Sequence, residues 1–116
     1  FEIDYPPIKL KNFIKKFPPL VFGINYDLGN SASNGYDLKD ELDYFKYVKN
    51  IHIKDRKLNG PTVPLGKGDA DFNFFFKSMK KMNYKGNFIL QTARGKNDIN
   101  EIKKNLSFLK KFKFFI

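Results

Sequence analysis

Apolar and polar residues alternate along the chain in blocks that predict a strand followed by a helix, four times over. The blocks typical of buried strands are Phe1–Asp4, Leu20–Asn25, Asn50–Lys54 and Asn87–Gln91. The second block, Leu-Val-Phe-Gly-Ile-Asn, is apolar on both faces, as strands of parallel sheets usually are. Alternating strands and helices predict an α/β fold whose parallel strands are joined by right-handed crossovers.

Between these strands, apolar residues recur at the three- and four-residue spacing of one helix face. The four apolar stripes are Leu10, Phe13, Ile14 and Phe17; Leu38, Leu42, Phe45 and Val48; Phe72, Phe75, Phe76, Met79 and Met82; and Ile99, Ile102, Leu106 and Leu109. Pro18 is expected to end the first helix. Asp37 and Asp71 are expected to cap the second and third, and Asp98 with Glu101 has the spacing of a capping box at the fourth.

The remaining segments predict loops and a terminal tail. Residues 28–36 are rich in Gly, Asn and Ser, and residues 55–70 contain repeated Gly and Pro, so both are expected to be loops. The apolar tail Phe112–Ile116 is expected to dock on the core. Neither G-x-G-x-x-G nor a P-loop follows any predicted strand. The glycine-rich segment Leu65-Gly66-Lys67-Gly68 is not such a motif, since it ends a long loop and no strand directly precedes it.

Composition narrows the possible chemistry. The 116 residues contain no cysteine and one histidine, which excludes disulfide frameworks, cysteine nucleophiles and any mechanism that needs two histidines of this chain. The net charge is +10, yet all but two of the 22 basic residues are lysines. This pattern favours solvated lysine faces over binding of nucleic acid, where Lys and Arg usually cluster on one face. No apolar run has the length of a membrane span.

A polar or charged side chain lies at or just past the end of each predicted strand: Glu2, Asp27, His52 and Gln91. Taken singly, each residue also has an ordinary structural explanation, such as an Asp that folds its own turn. In a barrel, however, the carboxyl ends of the strands form the active-site face. Repetition at successive strands therefore predicts that these four side chains converge.

Four segments of the chain resemble the xylose isomerase-like barrels. They are DLGN at 27–30, HIKD at 52–55, LGKGDADF at 65–72 and YKGNFILQTARG at 84–95. The resemblance implies a (β/α)8 barrel, which needs about 250 residues. Residues 1–116 would then be the C-terminal half of the barrel, a fragment of a longer cytoplasmic enzyme of carbohydrate metabolism. This family includes sugar and sugar-phosphate isomerases and epimerases, inosose dehydratases and apurinic endonucleases.

The resemblance also implies a divalent metal site. Glu2, Asp27 and His52 match the family's first three ligands, whereas Gln91 stands where the family has a second Glu. Oxygen ligands with one imidazole favour Mn²⁺, Mg²⁺ or Co²⁺. In the family's isomerases the metal stabilises an enediolate while two carboxylates move protons. Glu2 could be one of those carboxylates but Gln91 could not be the other, so two-base epimerisation is disfavoured.

The expected substrate is a sugar or sugar phosphate. Five residues just past the strand ends are expected to bind the substrate: Asn30, Lys54, Asp55, Arg56 and Arg94. Two alternatives to the isomerase remain open, namely a lyase of the inosose dehydratase kind and a degenerate, non-catalytic barrel that binds carbohydrate.

The endonuclease branch is disfavoured, because its multi-zinc site is rich in histidine and Asn30 stands where that branch has one. No nucleic-acid or membrane partner is expected. A solitary half-barrel would expose open sheet edges and an apolar face, so the expected partner is either the missing N-terminal half-barrel or a second copy.

Overall fold

The computed structural model describes residues 1–114, which form helices on one side of a short parallel sheet. The helices are α1 (Pro7–Ile14), α2 (Leu28–Asn34), α3 (Leu38–Glu41), α4 (Phe72–Lys81) and α5 (Asp98–Lys110), with a 3-10 helix at Leu42–Tyr47. The strands are β1 (Ile24–Asp27), β2 (Val48–Ile53), β3 (Asp55–Arg56), β4 (Thr62–Val63) and β5 (Asn87–Leu90). Among the described residues, no helix is both long and apolar enough to cross a membrane.

The central sheet has the order β1-β2-β5 with all strands parallel, so the α/β half-barrel expected from the sequence is confirmed. The register pairs Asp27 with His52, and His52 with Ile89. These pairings bring the carboxyl ends of the strands to one edge of the sheet. β3 and β4 form a separate antiparallel ribbon inside the segment that the sequence predicted as a loop.

The expected first strand, Phe1–Asp4, is not a strand of this sheet. It nevertheless runs beside β1, because the Phe1 amino group donates to the Gly23 carbonyl at 2.7 Å and the Asn25 amide donates to the Phe1 carbonyl at 2.7 Å. These two bonds fix the backbone at one residue only, which is too little for a ladder. They still hold the neighbouring Glu2 near the end of β1.

The second predicted strand, Leu20–Asn25, begins four residues too early and ends two residues too early. Leu20 and Val21 are 99% and 75% exposed, and β1 begins only at Ile24. The Pro18 carbonyl accepts from the amides of Val21 and Phe22, so the Pro-Pro pair forms a turn that extends through the apolar residues. Strong β-propensity in Leu-Val-Phe was therefore overridden by turn geometry.

Two helical expectations also need correction. Residues 28–34, predicted as loop, form α2, since Asp27 caps its first turn by accepting from the Asn30 amide. The second predicted helix is shorter than its apolar stripe: α3 ends at Glu41, the 3-10 helix follows, and Val48 already belongs to β2. The expected cap is confirmed, because the Asp37 side chain accepts from the Lys39 amide at 2.9 Å.

The core lies between the sheet and the helices. Its most buried apolar side chains come from α1, β1, β2 and α4, and include Ile14, Ile24, Ile51, Ile53, Phe75 and Met79. The aromatic stripe of α4 is confirmed, and so is its Asp71 cap. Met82 is the exception, since it lies past the helix end and is 39% exposed.

The last helix departs most from the sequence prediction. Asn97, not Asp98, caps α5, because its side chain accepts from the Asn100 amide. Leu109 is buried as expected, but three other residues of the predicted inward stripe are exposed: Ile99, Ile102 and Leu106. Of these, Leu106 lines a pocket with Ile53, Phe88 and Leu90, beside β5. Phe112 and Phe114 pack against the core as the docked tail predicts; residues 115 and 116 lie outside the described residues.

Candidate metal centre

Strand alternation separates the core-facing side chains from the candidate site. In β1, Ile24 and Tyr26 are buried against the helices, which places Asn25 and Asp27 on the opposite side. In β2, Ile51 and Ile53 are buried in the same way, which leaves His52 on the side of Asp27. The sheet therefore presents a polar surface at its carboxyl edge.

Three of the four expected metal ligands meet there. One ligand atom from each of Glu2, Asp27 and His52 lies within 4.8 Å of the other two. The His52 Nδ1 atom is 3.6 Å from Asp27 Oδ2 and 3.8 Å from Glu2 Oε2. The Asp27 side chain is 2% exposed and that of Glu2 is 41% exposed, so the cluster runs from the interior to the surface. Two carboxylates and one imidazole form a donor set that fits a divalent cation.

The two carboxylate oxygens of Asp27 have different partners. Oδ1 accepts from the Asn30 amide at 2.8 Å and so caps α2. Oδ2 faces His52 and also lies 3.4 Å from the Lys54 ammonium. The helix cap therefore orients the carboxylate so that its second oxygen points into the cluster.

Asn25 belongs to this cluster, although the sequence analysis missed it. Its Nδ2 atom donates to Glu2 Oε2 at 2.8 Å and lies 3.2 Å from Nε2 of His52. Its Oδ1 atom is buried without a hydrogen-bond partner among residues 1–114. The available signal was spacing, because residues i and i+2 of a strand share a face, and Asn25 precedes Asp27 by two.

The fourth expected ligand, Gln91, lies just past β5, and its side chain contacts Lys54. Gln91 Oε1 accepts from the Lys54 ammonium at 3.1 Å. Through Lys54, Gln91 is linked to Asp27, since the same ammonium lies 3.4 Å from Asp27 Oδ2. Among the expected substrate-binding residues, Lys54 thus contacts the cluster of Glu2, Asp27 and His52 through its side chain, and Asn30 contacts it through its backbone amide.

Two further expected substrate-binding residues, Asn30 and Arg56, bind each other. Arg56 Nη1 donates to Asn30 Oδ1 at 2.9 Å, and its Nε and Nη2 donate to the Gly60 carbonyl. Arg56 therefore ties the β3 segment to α2. Arg94 is exposed and makes no side-chain hydrogen bond or ion pair with the part of the chain that the structure describes.

Asp55 has a different place from the one expected. It is completely buried, and its carboxylate accepts from the amides of Gly66 and Gly68 at 2.8 Å and of Ala70 at 3.2 Å. A Cβ on Gly68 would overlap that carboxylate and lie 2.6 Å from the Arg56 carbonyl oxygen. The Gly-Lys-Gly-Asp segment at 66–69 therefore packs around the Asp55 carboxylate. Asp55 organises this loop and is not open to substrate.

A second polar cluster, which was not predicted from the sequence, surrounds the buried carboxylate of Glu41. Glu41 is 2% exposed, and its carboxylate accepts the hydroxyls of Tyr26 at 2.7 Å, Ser31 at 2.6 Å and Tyr44 at 3.1 Å. Burial raises the pKa of Glu41 above its ordinary value. An acidic residue near the start of a predicted helix is expected to lie on the surface and complement the helix dipole. Its i+3 spacing to Tyr44 was the available signal.

The comparisons agree with this fold. The chain belongs to the xylose isomerase-like TIM barrel family, whose model matches residues 6–112. Over 97% of its length it superposes on a xylose isomerase domain protein from Planctomyces limnophilus, with a TM-score of 0.78 and 22% identity. Over 87% it superposes on a sugar phosphate isomerase/epimerase from Parabacteroides distasonis, with a TM-score of 0.68 and 20% identity.

Two curated relatives share more of the sequence. The candidate L-ribulose-5-phosphate 3-epimerase SgbU of Escherichia coli is 33% identical over 91 residues, and its namesake from Haemophilus influenzae is 32% identical over 85 residues. These matches take in 70% and 66% of this chain. The chain itself covers only 32% and 30% of those relatives, and 44% and 35% of the two solved structures. It thus spans about a third of the length of the curated relatives that it matches.

Proposed function

We propose that this chain is the metal-binding half of a sugar or sugar-phosphate isomerase/epimerase. One observation carries the proposal: ligand atoms of Glu2, from the segment beside β1, of Asp27 in β1 and of His52 in β2 lie within 4.8 Å of one another. The relatives named as L-ribulose-5-phosphate 3-epimerases support a phosphorylated sugar as the substrate class. The rest of the barrel, absent from this chain, would supply the other wall of the pocket.

Glu2, Asp27 and His52 would hold a divalent cation, with Mn²⁺, Mg²⁺ or Co²⁺ favoured by the oxygen-rich donor set. Such an ion, when bound, polarises the carbonyl and hydroxyl oxygens of a sugar and so acidifies the neighbouring C–H bond. The sequence predicts Gln91 as a fourth ligand, but its amide oxygen brings no charge and accepts from the Lys54 ammonium at 3.1 Å.

Glu2 is proposed as the group that takes and returns the proton. Its side chain is the most exposed of the three, and Asn25 holds one of its oxygens at 2.8 Å. The other oxygen is left to reach a substrate carbon. Because Gln91 cannot accept a proton, the reaction would use one carboxylate of this chain, as a 1,2-isomerisation can. Lys54 and Arg94 would contact the anionic groups of the sugar phosphate.

The second candidate is a barrel that binds carbohydrate without turning it over. Gln91 at the position of a base is the observation behind it. Replacing Gln91 with Glu separates the two functions: an enzyme site should gain metal affinity and turnover, whereas a binding site should gain no turnover.

The proposed site is tested by titrating Mn²⁺ into the chain and its variants by calorimetry. Asp27→Asn keeps a good helix cap while removing a charge, so it should fold normally and bind Mn²⁺ at least roughly 10-fold more weakly. Glu2→Gln should act in the same direction. Asp43→Asn is the matched control, because Asp43 is 67% exposed and pairs with Lys11. Equal affinities for all four proteins would refute the proposed centre.

The reaction is tested on the longer protein that supplies the second half of the barrel. L-Ribulose 5-phosphate is the first substrate to offer, with product analysis by chromatography. An isomeric sugar phosphate supports the isomerase. Loss of water would instead indicate a lyase, and unchanged substrate with measurable binding would favour the non-catalytic barrel.

A further inference from the structure

Lys54 is held in place in a way that surface lysines are not. Its side chain is 16% exposed, and its aliphatic stem lies directly over Gly29 of α2. A Cβ on Gly29 would come within 2.7 Å of the Lys54 Cγ atom and 3.0 Å of its Cβ. The glycine of the Asp-Leu-Gly-Asn segment therefore makes room for this lysine beside the metal cluster.

The ammonium group has two acceptors. It lies 3.1 Å from Gln91 Oε1 and 3.4 Å from Asp27 Oδ2. The shorter contact is to the neutral amide, although a carboxylate is normally the stronger acceptor for a charged donor. The Lys54 ammonium therefore lies between Gln91 and Asp27, and the two acceptors share it.

The backbone register places Gln91 level with Lys54. His52 pairs with Ile89, Ile53 pairs with Leu90, and the Gln91 amide donates to the Ile53 carbonyl. Gln91 therefore follows the row that contains His52 by two residues, at the level of Lys54. Its position on the sheet favours contact with the lysine over contact with the cluster of Glu2, Asp27 and His52.

We propose that Gln91 is a positioning residue for Lys54 rather than a fourth metal ligand, and that Lys54 is a fixed positive charge which limits how tightly the cluster binds a divalent cation. This inference rests on the proposed metal centre. An ammonium 3.4 Å from Asp27 Oδ2 offsets part of the negative charge offered to the cation. Because the Asp27 carboxylate then donates less electron density, a bound cation would stay more electrophilic. This suits its proposed role toward a sugar carbonyl.

Mn²⁺ titration of lysine variants tests the charge. Lys54→Met keeps the stem and removes the ammonium, so it should bind Mn²⁺ roughly 10-fold more tightly than the parent chain. Lys54→Arg keeps the charge and should stay within about threefold of the parent. Lys77→Met removes the same charge from the exposed face of α4 and should change nothing. Tighter binding in Lys77→Met as well would reduce the effect to net charge and overturn the inference.

A double-mutant cycle tests the part played by Gln91. If Gln91 acts only through Lys54, then Lys54→Met and the double variant Lys54→Met/Gln91→Leu bind Mn²⁺ equally. If Gln91 is a ligand, the double variant binds several-fold more weakly than Lys54→Met. That second result would overturn the positioning role. Circular dichroism melts of each variant show that the comparison is between folded proteins.

The outcome also separates this inference from the proposed function. Suppose that Asp27→Asn binds Mn²⁺ more weakly, as expected, while Lys54→Met binds it as the parent chain does. This result refutes the role of Lys54 but supports the metal centre. No weakening in Asp27→Asn refutes the metal centre itself, and the inference with it.

Discussion

Tyr26 donates its hydroxyl to the carboxylate of Glu41 at 2.7 Å in a place from which solvent is almost excluded. The bond joins β1 to the end of α3 directly behind Asp27. Replacing Glu41 with Ala leaves three hydroxyls without their acceptor and opens a cavity. We expect the free energy of unfolding to fall by about 3 kcal/mol, measured by urea denaturation. Asp40→Ala, at an exposed neighbouring position, should change it by less than about 0.5 kcal/mol.

The same carboxyl gives stability a pH dependence. Burial raises the pKa of Glu41 in the folded chain above its ordinary value of 4.5, so folded molecules hold this proton more tightly than unfolded ones. The contribution is therefore complete below pH 4.5 and is lost as the pH rises through the folded-state pKa. Glu41→Gln cannot titrate, so the difference in stability between parent and variant should shift against the parent over that range. A pH-independent difference between the two melting curves would contradict this assignment.

Asp55 is expected to hold the 57–69 loop closed. Asp55→Ala removes the acceptor of three backbone amides and should lower the free energy of unfolding by about 3 kcal/mol or more. The loop contains Lys57 and Lys67, so limited trypsinolysis should cut it faster in the variant while the helices resist. Asp43→Asn serves as the control for loss of a carboxylate. An unchanged cutting rate would mean that the ribbon β3–β4 closes the loop without Asp55.

Gly68→Ala tests the same contact between the loop and Asp55, with the change made in the loop. The added methyl would overlap the Asp55 carboxylate and press on the Arg56 carbonyl oxygen, so the loop must shift. We expect a loss of about 1–3 kcal/mol in unfolding free energy, and faster trypsin cutting at Lys67. Full stability of this variant would show that the loop has room that the structure does not give it.

The exposed apolar side chains near β5 predict self-association of the 116-residue chain. Ile102 and Leu106 on α5 are 51% and 47% exposed, and Leu90 of β5 is 36% exposed. In the absence of another half-barrel, a second copy is the occupant we expect on this face. Sedimentation velocity should show mass that rises with concentration, and Leu106→Lys should reduce it.

Ile8→Lys on α1 is the matched control, because Ile8 is 76% exposed and belongs to another part of the surface. A parent chain that sediments as a monomer at every concentration would contradict the prediction. Equal effects of both substitutions would point to general solubility rather than to this face.

The sequence predicted best where a pattern is local and repeated. The aromatic stripe of α4 and the Asp71 cap are examples, because helical spacing and a capping residue act over a single turn. The convergence of Asp27 and His52 also followed from local reasoning, since parallel strands bring their carboxyl ends together.

Prediction was wrong where distant contacts decide the outcome. Leu20 and Val21 look like strand residues, but a turn at Pro18 leaves them exposed. Asp55 looks like a site residue by its place after HIK, yet amides more than ten residues ahead surround it. The acceptor role of Glu41 toward Tyr26 and Ser31 depends on packing between β1, α2 and α3, which no spacing rule provides.

The clustering of Glu2, Asp27 and His52 within the first 52 residues has a consequence for how such barrels vary. One continuous stretch of chain contains all three side chains and the two residues that orient them, Asn25 and Asn30. A recombination event that exchanged the residues after His52 would keep these three side chains on one stretch of chain while replacing Lys54 and Gln91. In the proposed enzyme, changes after residue 52 could therefore alter the substrate pocket without replacing any of the three donors.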